Sequence, residues 1–273
     1  MANPSHYIAN PDNAHIDTSD FERQVCQLLA GAASTDGVAQ YSCDRIHDLI
    51  ESKISCAPKE PDDMQLICRY LSPIKFSWLV SKMRVYFGAA SNFKDRSDSI
   101  IPTDYHNAVL RKLTDAELNC AAWDRYVRDQ QSRWLVSCWT KLDSYYDDSL
   151  LWSSYADGAL GIGVTIRYGV LRDHLRQAVE KVVGVNGFYG GEIAYRDPLR
   201  VAPFNKRNIF RNEKEVRFAT RSNSRTSLSV DIATIKSELG LRLSPESPVA
   251  HHYAVKDIWL RFGGSDEIYV AGD

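Results

Sequence analysis

Residues 65–88 read QLICRYLSPIKFSWLVSKMRVYFG. The apolar run Gln65–Leu71 is a short strand broken only by Arg69. Ser72-Pro73 then supplies a cap and a first-turn proline for a helix, and Arg84–Gly88 is a second strand. This strand–helix–strand texture starts near Met64 and marks the main body.

Downstream, residues 91–104 are rich in Ser, Asp and Asn and read as a loop. Tyr105–Lys112 and a capping-box start at Thr114-Asp-Ala-Glu117 predict two helices, the second carrying Leu118, Ala121, Ala122, Arg125 and Tyr126. Arg133–Thr140 is a strand. A helix from about Asp147 to Asp157 is closed by Gly158, and the strand Leu160–Arg167 is punctuated by glycine. A helix near 170–182 precedes strands near 188–195, 213–220, 253–262 and 267–270, with Thr220–Ser229 as a solvent loop.

Strands and helices do not alternate strictly, and no G-x-G-x-x-G joins a strand to a helix, so a doubly wound nucleotide fold is disfavoured. The expected class is α+β with a mostly antiparallel sheet. Upstream, a Thr18-Ser19-Asp20 cap precedes Phe21, Val25, Leu28, Leu29 and Ala32 at helical spacing. Val38, Ser42, Ile46, Leu49, Ile50 and Ile54 follow the same period. The organisation is thus a polar arm over 1–17, a helical extension over 18–60 and an α+β domain over 61–273.

Composition narrows the classes. Apolar residues form 44% of the 273 and charged ones 25%, a globular profile. A net charge of -2 provides no general pull toward nucleic acid or anionic lipid. Cysteines 26, 43, 56, 68, 120 and 138 form no C-x-x-C pair and no zinc-finger spacing, which predicts reduced thiols and no metal. The start Met-Ala-Asn-Pro-Ser-His lacks the basic residues and apolar run expected of a signal peptide, and no stretch approaches the roughly 20 apolar residues of a membrane span. The expected compartment is the cytoplasm; a protein exported by an injection system has the same signature.

Several segments can carry chemistry. On a strand, Glu213, Glu215 and Arg217 share one side and Val216 and Phe218 the other. The charged side faces either water or a cleft. In a cleft, two carboxylates two residues apart raise one pKa and suit proton transfer or cation stabilisation, unless Arg217 quenches the effect. Trp152, Tyr155 and Ala156 form one helical stripe, either core packing or a ligand platform. Gly158, Gly161 and Gly163 allow close approach of backbone or ligand. Arg69 inside an apolar strand needs a structural carboxylate, a route to solvent or a bound phosphate. Ser137 and Trp139 share the side of Leu135, where their polar atoms can be ladder decoration alone. A magnesium site from Glu192, Asp197, Glu213 and Glu215 is a further alternative.

Taken in order, these segments resemble a widespread bacterial family of uncharacterised proteins. The shared features are an aromatic-and-arginine first strand (Arg69-Tyr70), an F-x-D-x-x-D loop (Phe93, Asp95, Asp98) and a serine-containing strand (Ser137-Cys-Trp-Thr140). A W-S-x-Y-A helix (Trp152 to Ala156) and a closing E-x-E-x-R strand (Glu213, Glu215, Arg217) complete the set. The match covers roughly 64–262, and Ser154 replaces a histidine often seen in the family. The layout is in turn similar, by analogy, to the split-sheet ADP-ribosyltransferase fold. That resemblance implies NAD as substrate and a macromolecular acceptor, protein or nucleic acid, as for a toxin or defence effector. It implies that Arg69, with Tyr70 beside it, contacts the NAD diphosphate and that Ser137 shapes the nicotinamide pocket, with Tyr155 as a rival for that place. Trp152 or Tyr155 stacks on a ring, and Arg217 contributes to cofactor binding. Glu215 stabilises the oxocarbenium-like transition state, and Glu213 orients or deprotonates the acceptor. The competing reading is a non-catalytic module that binds a nucleotide or nucleic acid.

Overall fold

Trp134–Lys141 is buried along most of both faces, which only a strand in the middle of a sheet with two covered faces allows. The computed structural model describes residues 17–30, 40–53, 57–94, 103–143, 148–195, 202–206, 208–264 and 268–270. The strands are β1 (Leu66–Leu71), β2 (Arg84–Ala89), β3 (Trp134–Lys141), β4 (Ile162–Arg167), β5 (Val185–Glu192), β6 (Glu215–Ser222), β7 (Ser227–Asp231), β8 (Gly240–Leu243) and β9 (Ile268–Val270). They form one sheet of order β5-β6-β3-β1-β4-β8-β9, with β2 joining β3 and β7 joining β2. All pairings are antiparallel except β8 with β9, so the α+β, mainly antiparallel expectation holds.

One edge of β3 pairs with β6 along its length. The other edge is shared. Its end, Thr140 and Lys141, pairs with Cys68 and Ile67 of β1, while Leu135 and Val136 pair with Ala89 and Gly88 of β2. The sheet therefore splits beside Ser137–Trp139. Helix α3 (Pro73–Lys82), capped by Ser72 with Pro73 in its first turn, carries the chain across this split from β1 to β2.

The two faces of the sheet differ. Ile67, Leu135, Trp139, Val164, Val216 and Phe218 point to a packed face, where α3, α7 (Tyr168–Val179) and α8 (Val249–Arg261) complete the largest core. The opposite face presents Cys68, Tyr70, Cys138, Thr140, Glu215 and Arg217, and α6 (Ser149–Tyr155) lies over part of it. A separate core joins α1 (Ser19–Ala30) and α2 (Gln40–Lys53) to α4 (Thr103–Asp115) and α5 (Cys120–Ser132). The N-terminal helices are thus half of a four-helix group whose other half is inserted between β2 and β3. Residues 57–63 do not hang free between them: Glu192 N donates to Lys59 O at 2.8 Å, and Arg172 pairs with Glu60 and Asp63.

Four local expectations need correction. Residues 253–262 belong to helix α8, whose buried Val255 and Trp259 are one turn apart, a period of 3.6 rather than 2. Thr114 does not open a helix; it lies in the last turn of α4, and Asn119 caps α5 by accepting from Ala121 N at 3.0 Å. Thr220–Ser229 is largely strand, the end of β6 and the start of β7. The four-residue strand β8 is too short to have registered as a pattern.

Candidate functional site

Strand β6 begins at Glu215, and Lys214 before it has a left-handed backbone (φ 43°). Glu213 therefore closes a 3₁₀ turn, Asn208–Glu213, rather than lying on the strand, and alternation along β6 does not place it beside Glu215. Lys206 does. Its Nζ donates to Glu213 Oε2 at 2.5 Å and to Glu215 Oε2 at 2.9 Å. On the other side, Arg217 Nε and Nη2 donate to Glu215 at 2.7 and 3.1 Å, while Nη1 donates to Pro203 O at 2.8 Å. The Phe93 ring lies 5.1 Å from the Arg217 guanidinium. Tyr155 OH donates to Glu213 Oε1 at 2.9 Å, and Tyr195 OH accepts from Glu215 N at 2.8 Å.

The two motifs singled out in the sequence, W-S-x-Y-A and E-x-E-x-R, thus meet through Tyr155 and Glu213. The charged residues do not form a solvated face: Glu213 is 8% exposed, Glu215 5% and Arg217 1%. Tyr155, at 47%, connects the cluster to solvent. Burial opposes ionisation of Glu215, but the Arg217 and Lys206 cations, with hydrogen bonds from Arg217 and Cys138, outweigh it and hold the carboxyl at about 2. Glu215 is accordingly a fixed anion at neutral pH. It suits the stabilisation of positive charge and is a poor proton acceptor, so the quenching alternative for Arg217 describes this carboxylate. Burial also disfavours the Lys206 cation, yet Glu215 and Glu213 raise its pKa.

Arg69 and Ser137 lie on the packed face instead. Arg69 pairs in register with Val164, and Ser137 with Phe218. Ser137 Oγ accepts from Arg69 Nη1 at 3.1 Å and from Trp139 Nε1 at 3.2 Å, and Arg69 reaches across the split to Tyr86 O at 3.4 Å. The guanidinium stands 5.8 Å from the Trp139 ring, and burial lowers its pKa. Among the described residues it forms no ion pair, so the structural carboxylate considered for it is not found. Between β1 and β6 lie two strand spacings, about 10 Å. The first-strand arginine and the late glutamate are therefore close in the sheet but on opposite faces of it.

Tyr70 is on the Glu215 face, engaged in a second polar cluster. Its hydroxyl donates to Asp148 Oδ2 at 2.6 Å, and Arg242 of β8 donates to both Asp148 and the Tyr70 oxygen. Trp152 packs edge-to-face on Tyr70 at 4.8 Å and is 3% exposed, which favours core packing over a stacking platform. Gly161 and Gly163 make room for that ring: a Cβ at Gly161 would come 2.7 Å from Trp152 Cε3, and one at Gly163 3.3 Å from its Cη2. A Cβ at Gly163 would also come 2.8 Å from Cys68 Sγ, and one at Gly161 2.7 Å from Ala156 Cβ, so the approach these glycines permit is that of the chain's own side chains.

Of the remaining candidates, Glu192 pairs in register with Val216 and bonds Lys141 at 3.0 Å, turned away from Glu215. Asp95, Asp98 and Asp197 lie outside the described residues. Among the described residues no group of three or more His, Cys, Asp and Glu is placed to hold a metal ion, and no helix is long and apolar enough to cross a membrane. Sequence reasoning missed Lys206, Tyr195, Asp148 and Arg242. Lys206 and Arg242 stand in no expected segment, and Asp148 and Tyr195 fall at the ends of expected ones, where the structure has loop. Comparison with known families, curated proteins and solved structures finds no match to this chain.

Proposed function

We propose that this chain is an NAD-consuming enzyme of the ADP-ribosyltransferase type, in which Glu215 stabilises the cationic ribose as nicotinamide leaves. The carrying observation is a glutamate buried at the head of β6 and held anionic, joined through Lys206 and Glu213 to the half-exposed Tyr155. A fixed anion in a low-dielectric setting is the element such a transition state requires. Arg69 stands on the opposite face of the sheet, bonded to Ser137 and Tyr86 across the split, so the reading rests on the Glu215 cluster alone. In this arrangement Ser137 positions Arg69, and Trp152 supports the wall that carries Tyr155. Glu213 orients the acceptor, a protein or nucleic acid.

The test is nicotinamide release from NAD by the purified protein, alone and with cell lysate as a source of acceptors. Glu215→Gln is expected to lower the rate by about 10²- to 10³-fold, as loss of a transition-state electrostatic contact does. No turnover in any lysate, or equal turnover by the variant, refutes the proposal. A second reading, a non-catalytic nucleotide-binding module, is favoured by Arg69, a largely buried guanidinium without an ion pair among the described residues. It requires nucleotide binding that survives Glu215→Gln, is lost in Arg69→Ala and yields no product.

A further inference from the structure

The chain supplies its own cation to the carboxylate on which the proposed reaction depends. Lys206 lies outside β6, and its side chain is only 7% exposed, with the ammonium between Glu213 and Glu215 and 4.7 Å from the Phe210 ring. Arg217 already occupies Oε1 of Glu215 and shares Oε2 with Lys206, so both carboxylate oxygens are engaged. An ammonium in contact with Oε2 takes up the field that a developing ribose cation would meet.

The two cations are not equivalent. Arg217 is a strand residue whose guanidinium also donates to the Pro203 carbonyl, so moving it strips hydrogen bonds from two buried groups, Glu215 and that carbonyl. Lys206 carries its charge on a flexible four-carbon stem. When it withdraws, Glu213 keeps the Tyr155 hydrogen bond and Glu215 keeps two from Arg217.

We propose that Lys206 is an internal, displaceable cation that holds the Glu215 site shut, and that a cationic ligand enters as the Lys206 ammonium leaves. The inference rests on the reading of Glu215 as the partner of a ribose cation, and it concerns the regulation of that same site. Two probes separate it from that reading: NAD, and 1-methylnicotinamide, a small pyridinium cation with no ribose to transfer.

Binding of both probes is measured by calorimetry for the wild type and Lys206→Met, which keeps most of the stem and removes the charge. Acetylation of each lysine in the wild type is followed by mass spectrometry, with Lys214, paired with Asp143 but more exposed, as internal reference. Lys206→Met is expected to bind the cation at least tenfold more tightly than wild type. Lys206 is expected to acetylate more slowly than Lys214 in the free protein and several-fold faster when the cation is present. Equal or weaker cation binding by a cooperatively melting Lys206→Met overturns the inference, whatever happens to NAD. Should that variant fail to fold, Lys206 acetylation unchanged or slowed by the cation overturns it in the wild type. A gain in cation affinity without nicotinamide release from NAD overturns the reaction and leaves the internal cation standing.

Discussion

Arg217→Met removes one cation from a buried set of two carboxylates and two cations while keeping much of the side-chain volume. At neutral pH a carboxyl held at about 2 against an ordinary 4.5 corresponds to about 3 kcal/mol in favour of its charged form. Breaking a buried pair by deleting one partner typically costs about 3–5 kcal/mol, and here the Pro203 carbonyl also loses its donor. The expected loss is therefore about 3–5 kcal/mol, roughly 6–20 °C in melting temperature for a chain of this size. Acidification gives the sign. Because the folded pKa of Glu215 lies below its unfolded value, its stabilisation is complete above pH 4.5 and fades as pH falls from 4.5 toward 2. Without Arg217 the folded pKa rises back toward the unfolded value, so less stability is lost between pH 4.5 and 2 than in the wild type. Urea melts of wild type, Arg217→Met, Glu215→Gln and the double variant, at pH 7 and pH 4, measure the coupling; the double variant should be more stable than the sum of the single losses implies. A loss under about 1 kcal/mol in Arg217→Met, or strict additivity, refutes the buried pairing.

Gly161→Ala places a methyl group 2.7 Å from both Trp152 Cε3 and Ala156 Cβ and 2.9 Å from Ala156 O, and should cost about 1–3 kcal/mol by overpacking, read as a shift of the urea midpoint. Deleting residues 1–56 strips α1 and α2 from Tyr105, Val109, Leu113 and Trp123; the remainder should bind a hydrophobic dye and lose its sharp melt, whereas a truly separate extension would leave melting unchanged. The Cys68 thiol, pushed up to about 12 by burial, should resist alkylation at pH 8 on a timescale at which exposed Cys26 reacts fully, as peptide mass mapping will show. Tyr155→Phe keeps the aromatic wall but removes the donor to Glu213; folding should change by about 1 kcal/mol while nicotinamide release falls further than stability does, and equal turnover would exclude the hydroxyl from the reaction.

Much of the sheet was legible because the alternation that marks a strand also assigns its faces. Val216 and Phe218 against Glu215 and Arg217, and Ser137 with Trp139 against Cys138 and Thr140, all follow from a period of two. That same rule brought Glu213 beside Glu215 for the wrong reason, since the left-handed Lys214 ends the strand and the proximity is made by Lys206. Order along the chain could not say that Arg69 and Glu215 would face apart, because that depends on the register of β1 against β3. Helical periodicity found α1 and α2 but not their partners: an apolar stripe specifies that something covers it, not that α4 and α5 do. Lys206 and Arg242 were illegible for a related reason. A charged residue outside a periodic segment reads as solvated until tertiary structure places an anion against it.

The position of the charged cluster bears on why it is there. On the Glu215 face, one apolar group of Cys68, Tyr70, Leu151, Trp152 and Ala156 lies to one side, and another of Val136, Ala219, Ile193 and Phe204 to the other. Between two such clusters an apolar core would be at least as stable, since hydrophobic replacement of a buried ion pair is often neutral or favourable. Stability therefore does not account for four charged groups at this point. Nor is Glu215 a general base, because a carboxyl near 2 takes up no proton at neutral pH. An anion kept ionised, contacted on one side by an arginine that also satisfies a buried carbonyl and on the other by a lysine on a flexible stem, is suited to exchanging one cation for another. On the proposed reading, the half-exposed Tyr155 bonded to Glu213 puts the approach at the Glu213 end, and a ligand would meet Glu213 and Lys206 before Glu215.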